Sequence, residues 1–536
     1  MKNRLISMVT AFTIILKLIP FSASANGHDS NVQDETGIGI AYFKEVDWRS
    51  VDFFYADNRK RMLFDTYLEM FNQEIRFVRN QLLIMAYNHV SFQQIKELTD
   101  SINAEIVGYI ELTNDYQIEF SEETFEEYFE YLNYLATFED EDDIPDIRPN
   151  PYASYLNGVI DELNQNPLIE HASLNIVLNI EDNSDSTYSE LAKIEDIDPA
   201  GKNWHLASAK VFQAWDYMSK QANLQTVKLG VIDSFLGNVH PNVVFGDGRL
   251  WNKNQEPIRD YIMEYHQYED TNVESHGVHI AGIMAGKYNA TEQTAGICHK
   301  SELYGYATKR SRYYEDSLMS IMGYKYALAL LVGNGVKVIN ISQGLERAGG
   351  ESLRNGAKTL ELFLNKLIEE KGYNFVIVTS AGNNNGVLAE NISFFNQIDP
   401  DSTAGKHIIV VGRINKDGKY NPTSSFGERV DVLAPGHDIY STVAGNQYYV
   451  ASGASQAAAI VSGIAGMIYS VNPSLKGYTV KALITSTAVT GKVGSVPDDT
   501  TDRLVNAQAA VEAADNSQLR ILLMANSMRK FRQLHG

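Results

Sequence analysis

The chain has 536 residues, of which 44% are hydrophobic and 21% are charged, with 38 Gly and 13 Pro. These proportions exclude a collagen-like or disordered Pro- and Gly-dominated chain, and the length predicts more than one folding unit. The 67 Asp and Glu outnumber the 45 Lys and Arg and leave a net charge of −22, which would repel the phosphates of a nucleic acid. A single cysteine, Cys298, excludes an intramolecular disulfide and a Cys-rich zinc site.

The first 25 residues have the layout of a secretory signal. A basic start precedes an apolar run over residues 5–16, and small residues end at Ala25, after which we expect cleavage. The alternative is a retained membrane anchor, but Lys17 and Pro20 interrupt the apolar run well short of the roughly 20 residues that a span needs. The prediction is an exported protein, secreted or periplasmic, with no transmembrane segment after signal removal.

Residues 26–180 show two patterns in succession. A helical extension is predicted over residues 26–79, because apolar residues recur on one helical face at Met62, Leu63, Tyr67, Leu68 and Phe71. Residues 80–180 then follow the order strand, helix, strand, strand, helix, strand, at residues 82–86, 91–102, 105–109, 116–120, 155–164 and 173–180. This order predicts a small α+β, ferredoxin-like unit with helices on one face of an antiparallel sheet. An insert at 122–151, with a helix and an acidic loop, interrupts it.

The pattern changes again after residues 181–202, which are polar, lack periodicity and predict a linker between two domains. Beyond it, continuous apolar strands alternate with helix-length segments, at residues 227–232, 303–307, 336–341, 375–379 and 408–411. Such strands are buried on both faces, so residues 203–514 predict an α/β domain with a parallel sheet and helices on both faces. Residues 515–536 are predicted to be a basic amphipathic tail. We expect either a helix that closes the domain or a frayed chain end; the alternative is contact with a membrane or another protein.

Polar residues stand where two of these strands end, the edge at which parallel sheets hold their functional groups. Asp233 follows the strand at 227–232, and Asn383 lies in the Gly- and Asn-rich segment after the strand at 375–379. Taken alone, both read as turn residues. An amide at such an edge can also donate a hydrogen bond to a developing oxyanion.

Two helix-like segments rich in small residues begin with a further pair of candidates, His276 and Ser455. At the N-terminus of a helix, Ser455 would lie among backbone N–H groups that favour negative charge, although an N-cap is the simpler interpretation. A lone histidine such as His276 is more often structural. His276 and His279 could suggest a metal pair, but neither acidic nor Cys ligands stand beside them, so no metal site is assigned.

Together these segments resemble the signature segments of the subtilisin-like serine proteases, or subtilases. The matching segments are Asp233-Ser234, residues 276–282, residues 381–383 and Gly453-Ala454-Ser455, in the order Asp, His, oxyanion Asn, Ser. Further similarity lies in residues 338–344, 430–436 and 503–511, so that the resemblance covers about residues 203–514.

The resemblance implies a secreted serine endopeptidase with a subtilisin-like catalytic domain. Asp233, His276 and Ser455 would form the triad, and Asn383 would donate to the oxyanion. The residues expected to contact a peptide substrate are Ser342, Gln343, Gly344, Ser380, Ala381 and Gly382. No cofactor is required for the chemistry. Structural calcium is common in the family, but no dense loop of oxygen ligands in the sequence assigns a calcium site here.

The resemblance also implies that residues 80–180 are a prodomain, which assists folding and occupies the substrate groove. The chain would then be made as a zymogen, with the maturation cut in residues 181–202. The partners are therefore polypeptide substrates and the protein's own prodomain.

Four positions depart from the family pattern. Phe235 stands where Gly is usual, Val278 and Ala454 where Thr is usual, and Ala459 where Pro is usual. A bulky residue at 235 could narrow the site. The competing interpretation is a catalytically inactive secreted binding protein on the same scaffold. An esterase with a nucleophile elbow fits poorly, because that fold orders its groups Ser, acid, His.

Overall fold

The computed structural model describes residues 42–55, 74–126, 128–129, 150–181, 203–234, 236–237, 240–252, 255, 275–289, 294–298, 300–308, 318–345 and 350–515. The chain divides into two compact units, residues 1–177 with 320–330 and residues 178–319 with 331–536. The predicted signal peptide, the residues that carry the helix prediction in the extension, most of the insert, the linker beyond Glu181, the tail beyond Asp515, and Phe235 lie outside the described residues.

The N-terminal unit combines an antiparallel sheet with helices. Its strands are β1 (Val51–Tyr55), β2 (Glu74–Ala86), β3 (Ala104–Ile110), β4 (Asp115–Phe120) and β5 (Ile169–Glu181), the last of which crosses the unit boundary after Val177. Its helices are α1 (Phe92–Ser101), α2 (Pro151–Leu163) and most of α6 (Ile321–Gly333), after a 3₁₀ turn at Trp48–Ser50. A capping box fixes the start of α1, since Ser91 and Gln94 exchange side-chain and backbone hydrogen bonds.

The sheet of this unit has the strand order β5-β2-β4-β3. On the opposite edge of β2 from β5, β1 pairs with residues 74–78 and β4 pairs with residues 81–85. Leu82 and Ile84 of β2, Ile95 of α1 and Leu156 of α2 are fully buried in the core. The order of elements and strands is that of the predicted ferredoxin-like unit.

The unit differs from the prediction at its start. β2 begins at Glu74, and β1 lies inside the segment predicted as a helical extension. The pairing of β2 with β5 is irregular between Phe77 and Leu82. Such an irregularity switches which residues face the core, so the alternation that would mark the first half of the strand is broken.

The second unit is built on a parallel sheet. Its strands are β6 (Val227–Asp233), β7 (Phe245–Asn252), β8 (Ser301–Ala307), β9 (Leu318–Ser320), β10 (Val338–Ile341), β11 (Gly344–Leu345), β12 (Val376–Ser380), β13 (Ile408–Ile414), β14 (Val432–Pro435), β15 (Ile439–Val443) and β16 (Gln447–Ala451). Its helices are α3 (Trp204–Ser208), α4 (Val211–Ser219), α5 (His276–Ala285), the end of α6, α7 (Gly350–Asn365), α8 (Phe394–Gln397), α9 (Ala454–Val471), α10 (Gly477–Ser486) and α11 (Ala507–Asp515). Shorter helical turns lie at Lys366–Glu370, Ala389–Asn391 and Gly405–His407.

The main sheet has the order β14-β13-β12-β10-β6-β8-β7, and all its neighbouring strands are parallel. A Cβ at Gly466 of α9 would meet Leu229 of β6, whereas a Cβ at the next strand residue, Gly230, would meet Leu331 of α6. Consecutive strand residues point to opposite faces, so helices cover both faces of the sheet. The predicted α/β architecture is confirmed.

Helix α9 (Ala454–Val471) is the central helix of this unit, in contact with five strands of the sheet. Among the described helices it is the one long and apolar enough to cross a membrane, and 94% of that stretch is buried inside the protein. These features fit the core helix of a globular domain.

Candidate active site

The carboxyl ends of three adjacent parallel strands, β6, β10 and β12, meet at one edge of the main sheet. Asp233 ends β6, Ser342 follows β10 and Asn383 follows β12. Helices α5 and α9, which begin with His276 and Ala454, pack against each other. The fold therefore gathers candidates that are far apart in the sequence.

Asp233 and His276 form a buried pair. His276 Nδ1 lies 2.7 Å from Asp233 Oδ1, and the Ser234 N–H donates to the same oxygen at 2.7 Å. The two side chains are 0% and 2% exposed. Because a carboxylate can only accept, His276 Nδ1 carries the proton of this hydrogen bond, which makes Nε2 the basic nitrogen of the neutral ring.

Small residues and hydroxyls fix the helix that carries His276. The Gly277 N–H donates to Ser234 O at 3.1 Å, and any side chain at 277 would collide with that oxygen. From β15, the Ser441 hydroxyl donates to His279 O at 2.9 Å. A side chain at Gly282 would collide with Ser441, so the small residues noted in the sequence allow α5 to approach this strand closely.

Ser455 is the second residue of α9 and is 4% exposed. The N-cap is Gly453, so Ser455 lies within the first helical turn and is not the cap. Its Oγ donates to Ser342 O at 3.3 Å, while Ser342 Oγ donates to Ser455 O at 3.1 Å. The Ser455 hydroxyl therefore lies at the N-terminus of α9, the positive end of the helix dipole.

The side-chain amide of Asn383 faces the start of the same helix. Its Oδ1 accepts the Ala454 N–H at 2.8 Å, so the other arm of the amide, Nδ2, is the donor. A Cβ built at Gly453 would lie 3.4 Å from Nδ2. The absence of a side chain at 453 thus leaves room for this donor beside Ser455.

The β15–β16 hairpin connects the two helices. It holds α5 through Ser441, and it holds the turn before α9 because the Asp438 N–H donates to Ser452 Oγ at 2.8 Å. The Gly453 N–H also donates to Gly436 O at 2.8 Å. One small element therefore sets the positions of both His276 and Ser455.

Two other predicted substrate contacts, the buried Gln343 and the half-buried Gly344, follow Ser342 at the same edge. Gln343 Nε2 donates to Thr308 Oγ1 at 2.7 Å. Gly344 and Leu345 pair in antiparallel register with Glu181 and Ile180. This pairing shows that the backbone after Ser342 accepts an extended chain as an added strand.

Three further predicted contacts, Ser380, Ala381 and Gly382, already use backbone groups inside the protein. Ser380 O accepts from Asn396 Nδ2 at 3.0 Å, and the Ala381 N–H donates to Val411 O at 2.8 Å. Gly382 O accepts from the Ser425 N–H at 3.0 Å. A role for these three residues in binding substrate stays a prediction.

Two buried polar residues near the site, Asn340 and Ser462, were missed by the sequence reasoning. Ser462 Oγ donates to Asn340 Oδ1, and Asn340 Nδ2 donates to Ser342 Oγ, each at 2.8 Å. The signal that points to Asn340 is a single amide inside the otherwise apolar strand Val338–Ile341.

His279 and Cys298 have structural surroundings. Burial, with the adjacent His276 as a second cause, lowers the pKa of His279 to about 3. Burial raises the pKa of the Cys298 thiol to about 12 and so disfavours the reactive thiolate. Within the described residues there is no group of three or more His, Cys, Asp or Glu side chains that could hold a metal ion.

Comparison with known proteins shows which family the chain is similar to. A model of the subtilase family matches residues 225–518, more than half of the chain. The thermophilic serine proteinase of Bacillus sp. (strain AK1) is 28% identical over 315 residues, which cover 59% of this chain and 67% of that protein. Subtilisin-like protease 2 of Plasmodium falciparum is 28% identical over 319 residues, or 58% of this chain and 22% of that protein.

Subtilisin amylosacchariticus of Bacillus subtilis subsp. amylosacchariticus is also 28% identical, over 262 residues that cover 49% of this chain and 60% of that protein. The chain thus spans between 22% and 67% of the length of these three relatives. Among solved structures, fervidolysin from Fervidobacterium pennivorans, a keratinolytic enzyme related to subtilisin, has a similar fold with a TM-score of 0.54. That match has 16% identity and covers 91% of this chain and 66% of fervidolysin. The family resemblance seen in the sequence is confirmed.

Proposed function

This chain belongs to the subtilase family, and from that premise we propose that it is a serine endopeptidase acting through Asp233, His276 and Ser455. The observation that carries the proposal is the buried 2.7 Å hydrogen bond between His276 Nδ1 and Asp233 Oδ1, at the sheet edge where Ser455 lies in the first turn of α9. A general base held in one tautomer is what a hydroxyl nucleophile requires.

In the first half of the reaction, His276 Nε2 takes the proton of Ser455 Oγ as that oxygen attacks the carbonyl carbon of the substrate. The same nitrogen then gives the proton to the leaving amine, and an acyl-enzyme results. Asp233 keeps the ring oriented and stabilises the imidazolium without accepting the proton. In the second half, water takes the place of the amine and releases the new carboxylate. Each step uses a group of the chain itself, so the proposal requires no cofactor.

The oxyanion of the tetrahedral intermediate is assigned to two donors. One is Asn383 Nδ2, whose direction is set because Oδ1 of the same amide accepts the Ala454 N–H. The other is the backbone N–H of Ser455, which lies in the first turn of α9, where N–H groups have no partner within the helix. Donors fixed before the reaction stabilise the developing charge without reorganisation.

We extend the proposal to binding and maturation. The antiparallel pairing of Gly344–Leu345 with Ile180–Glu181 supports substrate binding as an added strand next to Ser342. The same pairing supports a zymogen in which residues 180–181 occupy the substrate position, with the maturation cut in residues 181–202. The signal-like layout of residues 1–25 supports export, and polypeptides are the proposed substrates.

A serine-directed fluorophosphonate tests the nucleophile. The purified protein should be labelled on Ser455, and the label should be lost in Ser455→Ala but kept in Ser470→Ala, which removes another buried serine of the same helix. If matured wild type is not labelled, the chain is a binding protein on a protease scaffold.

N-terminal sequencing tests the zymogen separately. Wild type should acquire a new N-terminus within residues 181–202, and Ser455→Ala should not. Identical N-termini in the two proteins would contradict self-processing, whatever the labelling result.

A further inference from the structure

A directed chain of buried hydrogen bonds runs from the middle of α9 to the backbone of Ser455. Ser462 Oγ donates to Asn340 Oδ1 at 2.8 Å, and Asn340 Nδ2 donates to Ser342 Oγ at 2.8 Å. Ser342 Oγ then donates to Ser455 O at 3.1 Å. Ser462 and Asn340 are fully buried, and Ser342 is 3% exposed. This series of hydrogen bonds lies under the candidate site. It starts at Ser462 on α9, passes through Asn340 and Ser342, and ends at Ser455 in the first turn of the same helix.

The amide of Asn340 sets the direction of this chain. An amide oxygen can only accept and an amide nitrogen can only donate, so Ser462 must donate and Ser342 Oγ must receive. The single proton of the Ser342 hydroxyl is thereby directed to the carbonyl of Ser455. Without Asn340, the Ser342 hydroxyl could rotate to other acceptors.

Asn340 occupies a position that an amide tolerates only when it is hydrogen-bonded. It interrupts β10, whose four residues are all buried, and a buried amide costs free energy unless its polar atoms are hydrogen-bonded. Both arms of the amide have partners, and the chain they form ends at Ser455. Ser455 in turn donates its own hydroxyl to Ser342 O at 3.3 Å.

We propose that Asn340 and Ser462 are positioning residues, which act through Ser342 to hold Ser455 and its backbone N–H in the geometry for acyl transfer. The inference rests on the proposed role of Ser455 as nucleophile. Because Asn340 and Ser462 are fully buried and are linked to Ser455 only through the Ser342 hydroxyl, their loss should change turnover and leave substrate binding nearly as it is.

The first test compares two serines of the same helix. Ser462→Ala and Ser470→Ala each remove a fully buried hydroxyl of α9, and Ser470 donates to Gln225 O at 2.7 Å near the far end of the helix. We expect similar losses of thermal stability in both. Only Ser462→Ala should lower kcat, by about tenfold with KM unchanged, which corresponds to the loss of one neutral hydrogen bond in the transition state. Equal kcat values in the two variants would overturn the proposal.

The second test is a double-mutant cycle on kcat. Since Ser462 acts through Asn340, Ser462→Ala should lower kcat little further in an Asn340→Ala background, whereas Ser470→Ala should leave kcat unchanged in either background. Additive losses of kcat for Ser462→Ala and Asn340→Ala would refute the idea that the two residues act through one series of hydrogen bonds. Fluorophosphonate labelling of all variants distinguishes failure of the proposed function from failure of this inference. If matured wild type is not labelled, the proposed function is wrong. If the variants are labelled and their kcat is unchanged, only the positioning role of Asn340 and Ser462 is wrong.

Discussion

Ser342 and Ser455 hydrogen-bond to each other's carbonyl oxygens, at 3.1 Å from Ser342 Oγ and 3.3 Å from Ser455 Oγ. The segment that carries the candidate nucleophile is thus fastened to the strand edge along which a substrate would bind. A hydroxyl has one proton, so Ser455 must turn that proton from Ser342 O to His276 before it attacks. In the proposed mechanism, Ser342 therefore lies beside both the nucleophile and the backbone at Gly344–Leu345 that would pair with a peptide.

Replacing Asp233 with asparagine should lower kcat by about 10⁴-fold, because the amide favours the wrong tautomer of His276 while the geometry is kept. The measurement is peptide hydrolysis by the matured variant beside its thermal unfolding curve. A loss smaller than tenfold in a folded variant would show that Asp233 does not orient the base.

Removing the amide of Asn383 should weaken oxyanion stabilisation. We expect Asn383→Ala to lower kcat by about 10²- to 10³-fold with little change in KM, which is the magnitude known for this kind of donor in subtilisin itself. Asn384→Ala, in the same loop, is the matched control and should keep nearly full activity. Equal effects of the two changes would indicate loss of loop structure instead of a lost donor.

A third prediction concerns stability and not catalysis. In the N-terminal unit, Lys325 Nζ lies 2.5 Å from Asp115 Oδ1, and both side chains are 1% exposed. Lys325→Met would leave the Asp115 carboxylate buried without this cation and should lower the unfolding free energy by about 3–5 kcal/mol. Because a packed apolar pair avoids the unpaired charge, Asp115→Leu combined with Lys325→Met should restore most of the loss.

The control for this pair is Lys96→Met in the same unit. Lys96 forms an exposed ion pair with Asp100 at 2.9 Å, and its removal should cost no more than about 0.5 kcal/mol. Chemical denaturation of wild type and the three variants measures all these effects. If Lys325→Met and Lys96→Met cost the same, the buried pair does not stabilise the unit.

The sequence predicts the site better than it predicts these buried polar contacts. Asp233 and Asn383 follow apolar strands, so the rules of parallel sheets place them at one edge, whereas His276 and Ser455 stand at the starts of helices and are assigned to the site only by the family resemblance. Asn340 and Ser462 do not stand at the ends of apolar segments. The role of a buried amide or hydroxyl depends on its hydrogen-bond partners, and these are known only from the folded structure. Lys325 and Asp115 are 210 positions apart in the sequence and are joined only by tertiary folding.

The beginning of the N-terminal unit shows a different limit. The irregular pairing of β2 between Phe77 and Leu82 disrupts the alternation on which strand prediction depends. β14 lies at the edge of the main sheet and ends in Pro435, so its short apolar pattern does not define a strand without its neighbour β13. The interior strands β6, β10, β12 and β13 could be predicted because they are continuously apolar.

The last prediction is acid sensitivity caused by a buried histidine. Burial, followed by the neighbouring His276, lowers the pKa of His279 to about 3, below the value of about 6.5 expected in the unfolded chain. Between these values the unfolded chain binds a proton that the folded chain does not, so the stability contributed by the neutral ring is present above pH 6.5 and is lost as the pH falls towards 3. The limiting slope is about 1.4 kcal/mol per pH unit.

His279→Gln removes this titration but also disturbs a buried contact, since His279 Nε2 lies 3.3 Å from Tyr449 O. At pH 8, where the ring is neutral in both states, the variant should be less stable than wild type by the lost packing and hydrogen bonding alone. As the pH falls from 6.5 to 4, the difference in unfolding free energy should shrink, because only wild type gains a proton on unfolding at this position. Urea unfolding at a series of pH values measures the difference, and curves that stay parallel would mean that His279 is charged in the folded protein or does not titrate differently on unfolding.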